Sequence, residues 1–428
     1  MHDTRGLERM AQEPMPIRSQ SAKHKRLFTL MNRVDALSLL TAHDRQSAKK
    51  AVGIDGITKE AYGEKIFDNL LDLVARMKAF KYIPQPVRRT YIPKLNGKLR
   101  PLGIPAYEDK LVQSVMANIL SEVYEPRFLD TSYGFREGRS AHDVVKFLDW
   151  ATMKGGVKWV LEADIRGFFD NVNHDWLMKF LRHDIGDRNF LRYISRFLKA
   201  GVMEGTELSD SDKGTPQGGL ISPVLANVYL HYALDLWVEH RVKAACKGHV
   251  HYVRYADDFV LLFQYESDAR YIMGKLKERL AKFDLEVAEE KTRILPFDVR
   301  GGRWESFDFL GFTFYVARAR AGFFRTAIRT SAKKLKAKRQ AVTIWLRRQF
   351  NQPVVETLKT LDRKLQGHWN YYGVSGNMRS LTKFYDYVTC RTLWALRRRG
   401  QRKRITWEKF AQLWRAFVRP PRIMVKLW

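Results

Sequence analysis

A chain of 428 residues exceeds one ordinary hydrophobic core, and 45% hydrophobic with 13% aromatic content can fill two or three domains, which excludes a disordered polymer. The formal net charge of +30 demands a polyanionic partner, either nucleic acid or an anionic membrane surface. No apolar run approaches the roughly 18 residues that span a bilayer, and Met1 to Gln20 holds no apolar signal core; the reading is therefore nucleic acid, no membrane partner and a cytoplasmic location.

Residues 1–29 are polar and read as a flexible segment. From Arg33 to Tyr82 the apolar residues fall at three- and four-residue steps (Leu70, Leu71, Val74, Met77, Phe80), the spacing of helices, with Gly53-Ile54-Asp55-Gly56 as a loop between them. Two short apolar strands then flank Asn96-Gly97, a hairpin signal. Lys94, Lys98 and Arg100 cluster around that turn, where they suit a triphosphate; a solvated basic hairpin is the plain alternative. Asp109 to Tyr124 is an amphipathic helix. Ser132 to Ser140 reads as a loop whose Tyr133, Phe135, Arg136 and Arg139 suit a template strand by stacking and phosphate contact, or serve as a packed connector.

Val157 to Ile165 predicts a strand that delivers Asp164 at its end, with a turn out through Phe169 and Asp170. Gly214 to Gly219 is a glycine-rich loop carrying Gln217, and Ser222-Pro223 starts a helix to about Leu234. Val253 to Phe263 predicts two buried strands with Ala256-Asp257-Asp258 at the tip. Alone, that pair is an Asp-rich turn. With Asp164 it forms a candidate carboxylate cluster for two Mg²⁺ ions about 3.5–4 Å apart, clamping both oxygens of an in-line phosphoryl displacement, and Mn²⁺ is a possible substitute. Helix follows from Asp268 to Phe283, then Lys291, a candidate proton donor to leaving pyrophosphate, and Phe307 to Phe312 as an aromatic strand or turn.

The remaining stretch, Arg318 to Trp428, holds 28 Lys and Arg against 4 Asp and Glu, so most of the charge lies in a basic, mostly helical appendage. Its candidates to face nucleic acid, RNA on the resemblance given below, are Lys333, Lys334, Lys336 and Lys338 on one helix, with Arg397, Arg398, Arg399, Arg402, Lys403 and Arg404 in a second block. The interleaved tryptophans and tyrosines read as core. Cys246 and Cys390 are expected as free, partly buried thiols.

Taken in order, these motifs resemble those of bacterial group II intron-encoded reverse transcriptases with maturase activity. The set comprises Gly53-Ile54-Asp55-Gly56, Ile92-Pro93-Lys94 with Arg100 to Pro105, Ser132 to Arg136, Asp164 to Asp170, Thr215 to Pro223, Tyr255 to Asp258, Glu290-Lys291-Thr292, Phe309 to Phe312 and Gln366 to Tyr372. The resemblance implies an α+β right-hand polymerase. Its parts would be an N-terminal fingers extension (30–85), fingers (86–160), a palm with an antiparallel sheet (161–315) and a helical thumb and maturase domain (316–428). It further implies that Asp164, Asp257, Asp258 and the Ile165 carbonyl hold the metals. Phe169 would reject a ribose 2′-hydroxyl, Gln217 would meet the incoming nucleotide or the minor groove, and Phe309, Leu310 and Gly311 would grip the primer. The implied partners are intron RNA, a DNA target with its primer, and deoxynucleoside triphosphates. Glu137 stands where many relatives have proline, and the ending at Trp428 resembles the compact, group IIC-like class without an endonuclease domain. Two other readings compete: a relative adopted for phage defence, CRISPR spacer capture or DNA repair, and an RNA-binding splicing factor with a vestigial polymerase site.

Overall fold

The computed structural model describes residues 26–93, 99–204, 207–209, 214, 218–399 and 405–427. It is an α+β fold. The N-terminal helices Ala36–Arg45, Lys59–Gly63 and Ile66–Lys78 lead to strands β1 (Val87–Pro93) and β2 (Leu99–Ile104), which pair antiparallel from Arg88↔Ile104 to Pro93↔Leu99. The turn itself, with Lys94 and Lys98, lies outside the described residues. Helices Tyr107–Tyr124 and Ala141–Lys154 follow, the second opened by a capping box between Ser140 and Asp143.

Next come β3 (Trp159–Ala163), helices His174–Asp184 and Arg188–Leu198, the short β4 (Val202–Glu204) and β5 (Glu207–Ser209), and then the hairpin β6 (Val250–Tyr255) and β7 (Asp258–Phe263). The helix Glu266–Ala281 leads to β8 (Arg293–Asp298), β9 (Arg303–Trp304), β10 (Phe307–Phe309), β11 (Phe312–Arg318) and β12 (Phe324–Thr330). Helices Ala332–Arg348, Val354–Tyr372, Met378–Arg397 and Trp407–Phe417 close the described chain. None of the described helices is long and apolar enough to cross a membrane.

The sheet that positions the site has the order β6-β7-β3-β8-β9. Its strands are apolar on both faces because it divides two cores. Leu161, Ala163, Tyr252, Phe259, Leu261 and Phe263 belong to the core of the N-terminal body, whereas Val160, Val253, Val260, Leu262, Leu295 and Phe297 belong to a second core shared with the helix Ala141–Lys154, β10–β12 and the C-terminal helices. Alternation of period two thus serves both sides, and the near-continuous apolar run of β7 is explained without any exposed face.

Two sequence expectations change. The helix begun by Ser222-Pro223 runs on to Ala245, past Leu234, through widened π-helical turns at His231–Asp235 and Val238–Val242. There Arg279 takes the carbonyls of Ala233 at 2.7 Å and Tyr232 at 3.0 Å, so the first widened turn is held from outside. The basic C-terminal stretch also opens on a strand: β12 pairs with β11 along its whole length, so the helices begin only after Ser331. Of the two thiols, Cys246 is half-buried while Cys390 is exposed.

Asp109, in the first turn of Tyr107–Tyr124, is buried and accepts from the Tyr82 hydroxyl and the Gln85 N–H at 2.9 Å. Burial pushes its carboxyl up to about 7, against these two donors. The proton is therefore held more tightly in the fold than in the unfolded chain. That stabilisation is complete below the ordinary carboxylate range and is lost as pH rises through about 7. Relative to Asp109→Asn, the unmodified protein should lose melting temperature as pH rises from about 5 to about 8; a pH-independent difference would contradict the assignment.

Candidate active site

The register Tyr255↔Asp258 leaves Ala256-Asp257 as a two-residue loop, with Ala256 at φ 58°, a conformation normally reserved for glycine. β3 pairs with β7 through Ala163↔Phe259, so the next residue, Asp164, falls opposite Asp258. Sheet pairing alone brings together carboxylates that are far apart along the chain.

The charge of Asp164 acts on both Asp257 and Asp258, and that of Asp257 acts on Asp258. Asp258, though its surface is exposed, is pushed up to about 6, first by the loss of water around it from the neighbouring chain and then by the charges of Asp257 and Asp164, while Lys291 and Lys334 oppose the shift. Asp257 is raised chiefly by burial, with Asp164 adding to it and Arg100 and Lys291 working against it. Lys291 forms an ion pair with Asp164, and that bond raises the ammonium's own pKa. Bonds Arg166 N–H to Glu286 O and Ala288 N–H to Asp164 O flank Ile165, which turns the Ile165 carbonyl away from segment 286–288.

Among the described residues no group of three or more His, Cys, Asp or Glu side chains is gathered closely enough to hold a metal ion. The donor chemistry nevertheless fits one. Carboxylates that raise each other's pKa are relieved by a cation between them, and hard oxygen donors suit a divalent ion such as Mg²⁺.

Behind the hairpin lies a feature that motif reading missed. Arg254 is fully buried and forms an ion pair with buried Asp235 at 2.6 Å. Its remaining bonds go to Asn227 Oδ1 at 2.9 Å, the Ala256 carbonyl at 2.9 Å and Ser132 Oγ at 2.7 Å. Asn227 in turn donates to the Gly134 carbonyl at 2.7 Å. A Cβ on Gly134 would stand 2.3 Å from the Ala256 nitrogen, so the Ser132–Arg136 loop and the hairpin tip touch backbone to backbone. The available signal was a charged residue inside a buried strand, which must find a partner.

Phe169 is half-buried and meets Phe168 and Phe135 edge-on, with ring centroids 5.3 and 6.5 Å away. Gly214, at φ 86°, packs against the Phe169 and Asp170 carbonyls, where a Cβ would come within 2.9 Å. Gly218 lies against the Gly103 carbonyl of β2. Gly214 and Gly218 thereby sit against the Phe169 turn and β2, and Gln217 lies outside the described residues. Arg100 is exposed on β2.

Phe309 and Phe312 pair across the turn Leu310-Gly311, both at positive φ. The Tyr371 hydroxyl donates to the Leu310 carbonyl at 2.9 Å and its ring stacks on Phe312 at 5.7 Å. Arg136, by contrast, turns inward: its guanidinium is bonded to Glu125 and to the carbonyls of Leu129 and Ser132. Arg139 pairs with Asp130 beside the Tyr133 ring. Lys333, Lys334, Lys336 and Lys338 are exposed, and so are Arg397 and Arg398. Arg399 binds the carbonyls of Gln349 and Gln352, which ties off the end of Ala332–Arg348, while Arg402, Lys403 and Arg404 lie outside the described residues.

Residues 92–314 match the family model described as reverse transcriptase (RNA-dependent DNA polymerase), and the chain belongs to this family. Group II intron-encoded proteins are among the relatives it resembles. It is 32% identical over 345 residues to the group II intron-encoded protein LtrA of Lactococcus lactis subsp. cremoris, covering 64% of this chain and 56% of LtrA. It is 34% identical over 308 residues to protein YkfC of Escherichia coli K12, covering 64% of this chain and 78% of YkfC. An uncharacterized 91 kDa protein in the cob intron of Schizosaccharomyces pombe is 34% identical over 201 residues, 47% of this chain and 24% of that protein. The chain thus spans just over half the length of LtrA.

Gly134→Ala should push the Asp257-bearing tip out of place and cut DNA synthesis on a primed RNA template at least about tenfold. Circular dichroism should stay unchanged. Full activity in this variant would mean that the loop does not set the hairpin.

Proposed function

We propose that the protein is an RNA-directed DNA polymerase that copies intron RNA into cDNA and binds that RNA as a maturase, promoting splicing and retrohoming. The observation that carries the reading is Asp164 placed opposite Asp258 by strand register, within a chain of this family. On this reading the β6-β7-β3-β8-β9 sheet is the palm, β1 and β2 belong to the fingers, and the helices after Ser331 form the thumb and maturase domain.

Asp164, Asp257, Asp258 and the Ile165 carbonyl would hold two divalent ions, which supply Lewis-acid stabilisation of the attacking 3′-oxygen and the departing pyrophosphate. The chain's own residues supply the rest. Phe169 excludes a 2′-hydroxyl by clash. Arg100, with Lys94 and Lys98, neutralises the triphosphate, and Gln217 meets the incoming nucleotide. Lys291 holds a proton for the leaving group, the role for which its ion pair with Asp164 keeps it charged. The Leu310-Gly311 turn, braced by Tyr371, bears on the primer end. The exposed lysines of Ala332–Arg348 face RNA phosphates. Lys334 is also among the charges that act on Asp258, so that helix borders the catalytic cleft as well as the RNA face.

A binding protein with a vestigial polymerase site has no use for converging carboxylates or a sugar-excluding aromatic. Asp257→Ala should abolish cDNA synthesis on a primed RNA template while RNA binding persists; loss of binding in its place would sink the assigned role. Phe169→Ala should raise ribonucleotide incorporation relative to deoxyribonucleotide, read by single-nucleotide extension, and unchanged sugar discrimination would discard the gate.

A further inference from the structure

β3 carries a carboxylate of its own, one to which the reaction described above gives no part. Glu162 precedes Asp164 by two residues, about 7 Å along the strand, and shares its face with Val160 of the second core. An acid on that face must find partners. Arg293 stands directly opposite on β8, in the register Glu162↔Arg293, and its Nε donates to Glu162 Oε2 at 2.5 Å. The other carboxylate oxygen, Oε1, accepts from the Asp308 N–H of β10 at 2.9 Å. Burial pushes the Glu162 carboxyl up, and the bonds from Arg293 and Asp308 pull against it.

These bonds bridge two sheets. β10 belongs to the three-stranded sheet β10-β11-β12, separate from the β6-β7-β3-β8-β9 sheet that places the carboxylates. The main chain leaves the larger sheet by steps. β9 pairs with β8 through Phe297↔Trp304, and the Glu305 N–H still reaches the Pro296 carbonyl at 2.8 Å. Side chains then take over: Arg293 Nη2 donates to the Ser306 carbonyl at 3.2 Å, and Glu162 takes the Asp308 N–H. Two residues past Asp308 the chain makes the Leu310-Gly311 turn. The path from Asp164 to that turn therefore runs through a single side chain.

The turn has other supports, and they act elsewhere. Tyr371 holds the Leu310 carbonyl from the helix Val354–Tyr372, the Ser331 N–H donates to the Gly311 carbonyl at 2.9 Å, and the Thr313 hydroxyl closes the β10–β11 hairpin onto the Asp308 carboxylate. Of these contacts only those of Glu162 reach β3. Phe307 also packs edge-on against Phe297 of β8, ring centroids 5.2 Å apart. That packing seals the junction but is non-directional, whereas a hydrogen bond to a charged acceptor fixes where Asp308 sits along β3.

We propose that Glu162 is a positioning residue for DNA synthesis: held by Arg293, it sets the Leu310-Gly311 turn, and with it the primer's 3′ end, at a fixed distance from Asp164. The proposal rests on the polymerase reading and on that turn bearing on the primer. The full chain should be tested by single-turnover extension of a DNA primer on an RNA template, with rate constant, amplitude and primer–template affinity read separately. Glu162→Leu, which suits the apolar face, should lower the rate constant at least about tenfold and leave amplitude and affinity within about twofold. Glu162→Gln keeps an acceptor for the Asp308 N–H and should hold the rate constant within about threefold. Amide hydrogen exchange across 306–311, measured without substrate, should quicken in Glu162→Leu and stay as it was in Glu162→Gln. An unchanged rate constant in Glu162→Leu would overturn the proposal. So would a loss confined to the amplitude, the mark of a merely structural role, or a Gln variant as slow as the Leu variant. Should Glu162→Leu fail to fold, Arg293→Gln takes its place: it removes the anchor of the carboxylate and should slow the rate constant about threefold or more, and an unchanged rate there overturns the proposal equally. Failure of the polymerase reading shows in the unmodified chain as no DNA synthesis at all, and exchange across 306–311 still decides whether Glu162 holds the turn.

Discussion

The ion pair between Arg254 and Asp235 is the interaction on which the catalytic end depends. Burying two charges is costly unless every donor and acceptor is met. Here the five N–H donors of the guanidinium are all used, by both Asp235 oxygens, Asn227, Ser132 and the Ala256 carbonyl. The result is a rigid post behind a loop whose first residue sits at positive φ. Since Ser132 comes from a loop and Asn227 and Asp235 from one helix distant from it in sequence, one arginine ties two other parts of the chain to the hairpin tip. The widened turn at His231–Asp235 belongs to the same arrangement, because Asp235 is its last residue.

The sheet in front of that post works as a partition. Its two apolar faces belong to different cores, one within the N-terminal body and one shared with the helix Ala141–Lys154, β10–β12 and the C-terminal helices. The carboxylates emerge at the end of β3 and at the β6–β7 tip, where the partition opens to solvent. Position there accounts for their electrostatics: burial and mutual repulsion raise Asp257 and Asp258, and Lys291 supplies counter-charge at Asp164. A cluster poised in this way favours any cation that enters it.

The basic residues divide by what they touch. Arg136 and Arg399 are fastened to carbonyls within the protein, Arg139 to an acid, and the lysines of Ala332–Arg348 stand in solvent. A net charge of +30 is thus part scaffold and part surface, and only the second part is available to a polyanion. Composition does not separate the two, because a guanidinium binds a carbonyl and a phosphate through the same forks.

The sequence alone determined the local elements and the identity of the chemical groups. Period-two alternation and the turn residues are short-range rules that act within a few positions, and they placed Asp164 at a strand end and Asp257 at a hairpin tip. Tertiary structure decided what lies opposite what. Register put Asp164 across from Asp258, a buried arginine joined Ser132 to Asn227, and packing turned Arg136 inward. Those outcomes rest on contacts between residues up to about a hundred or more positions apart, whose closure depends on how whole faces pack and not on any local preference.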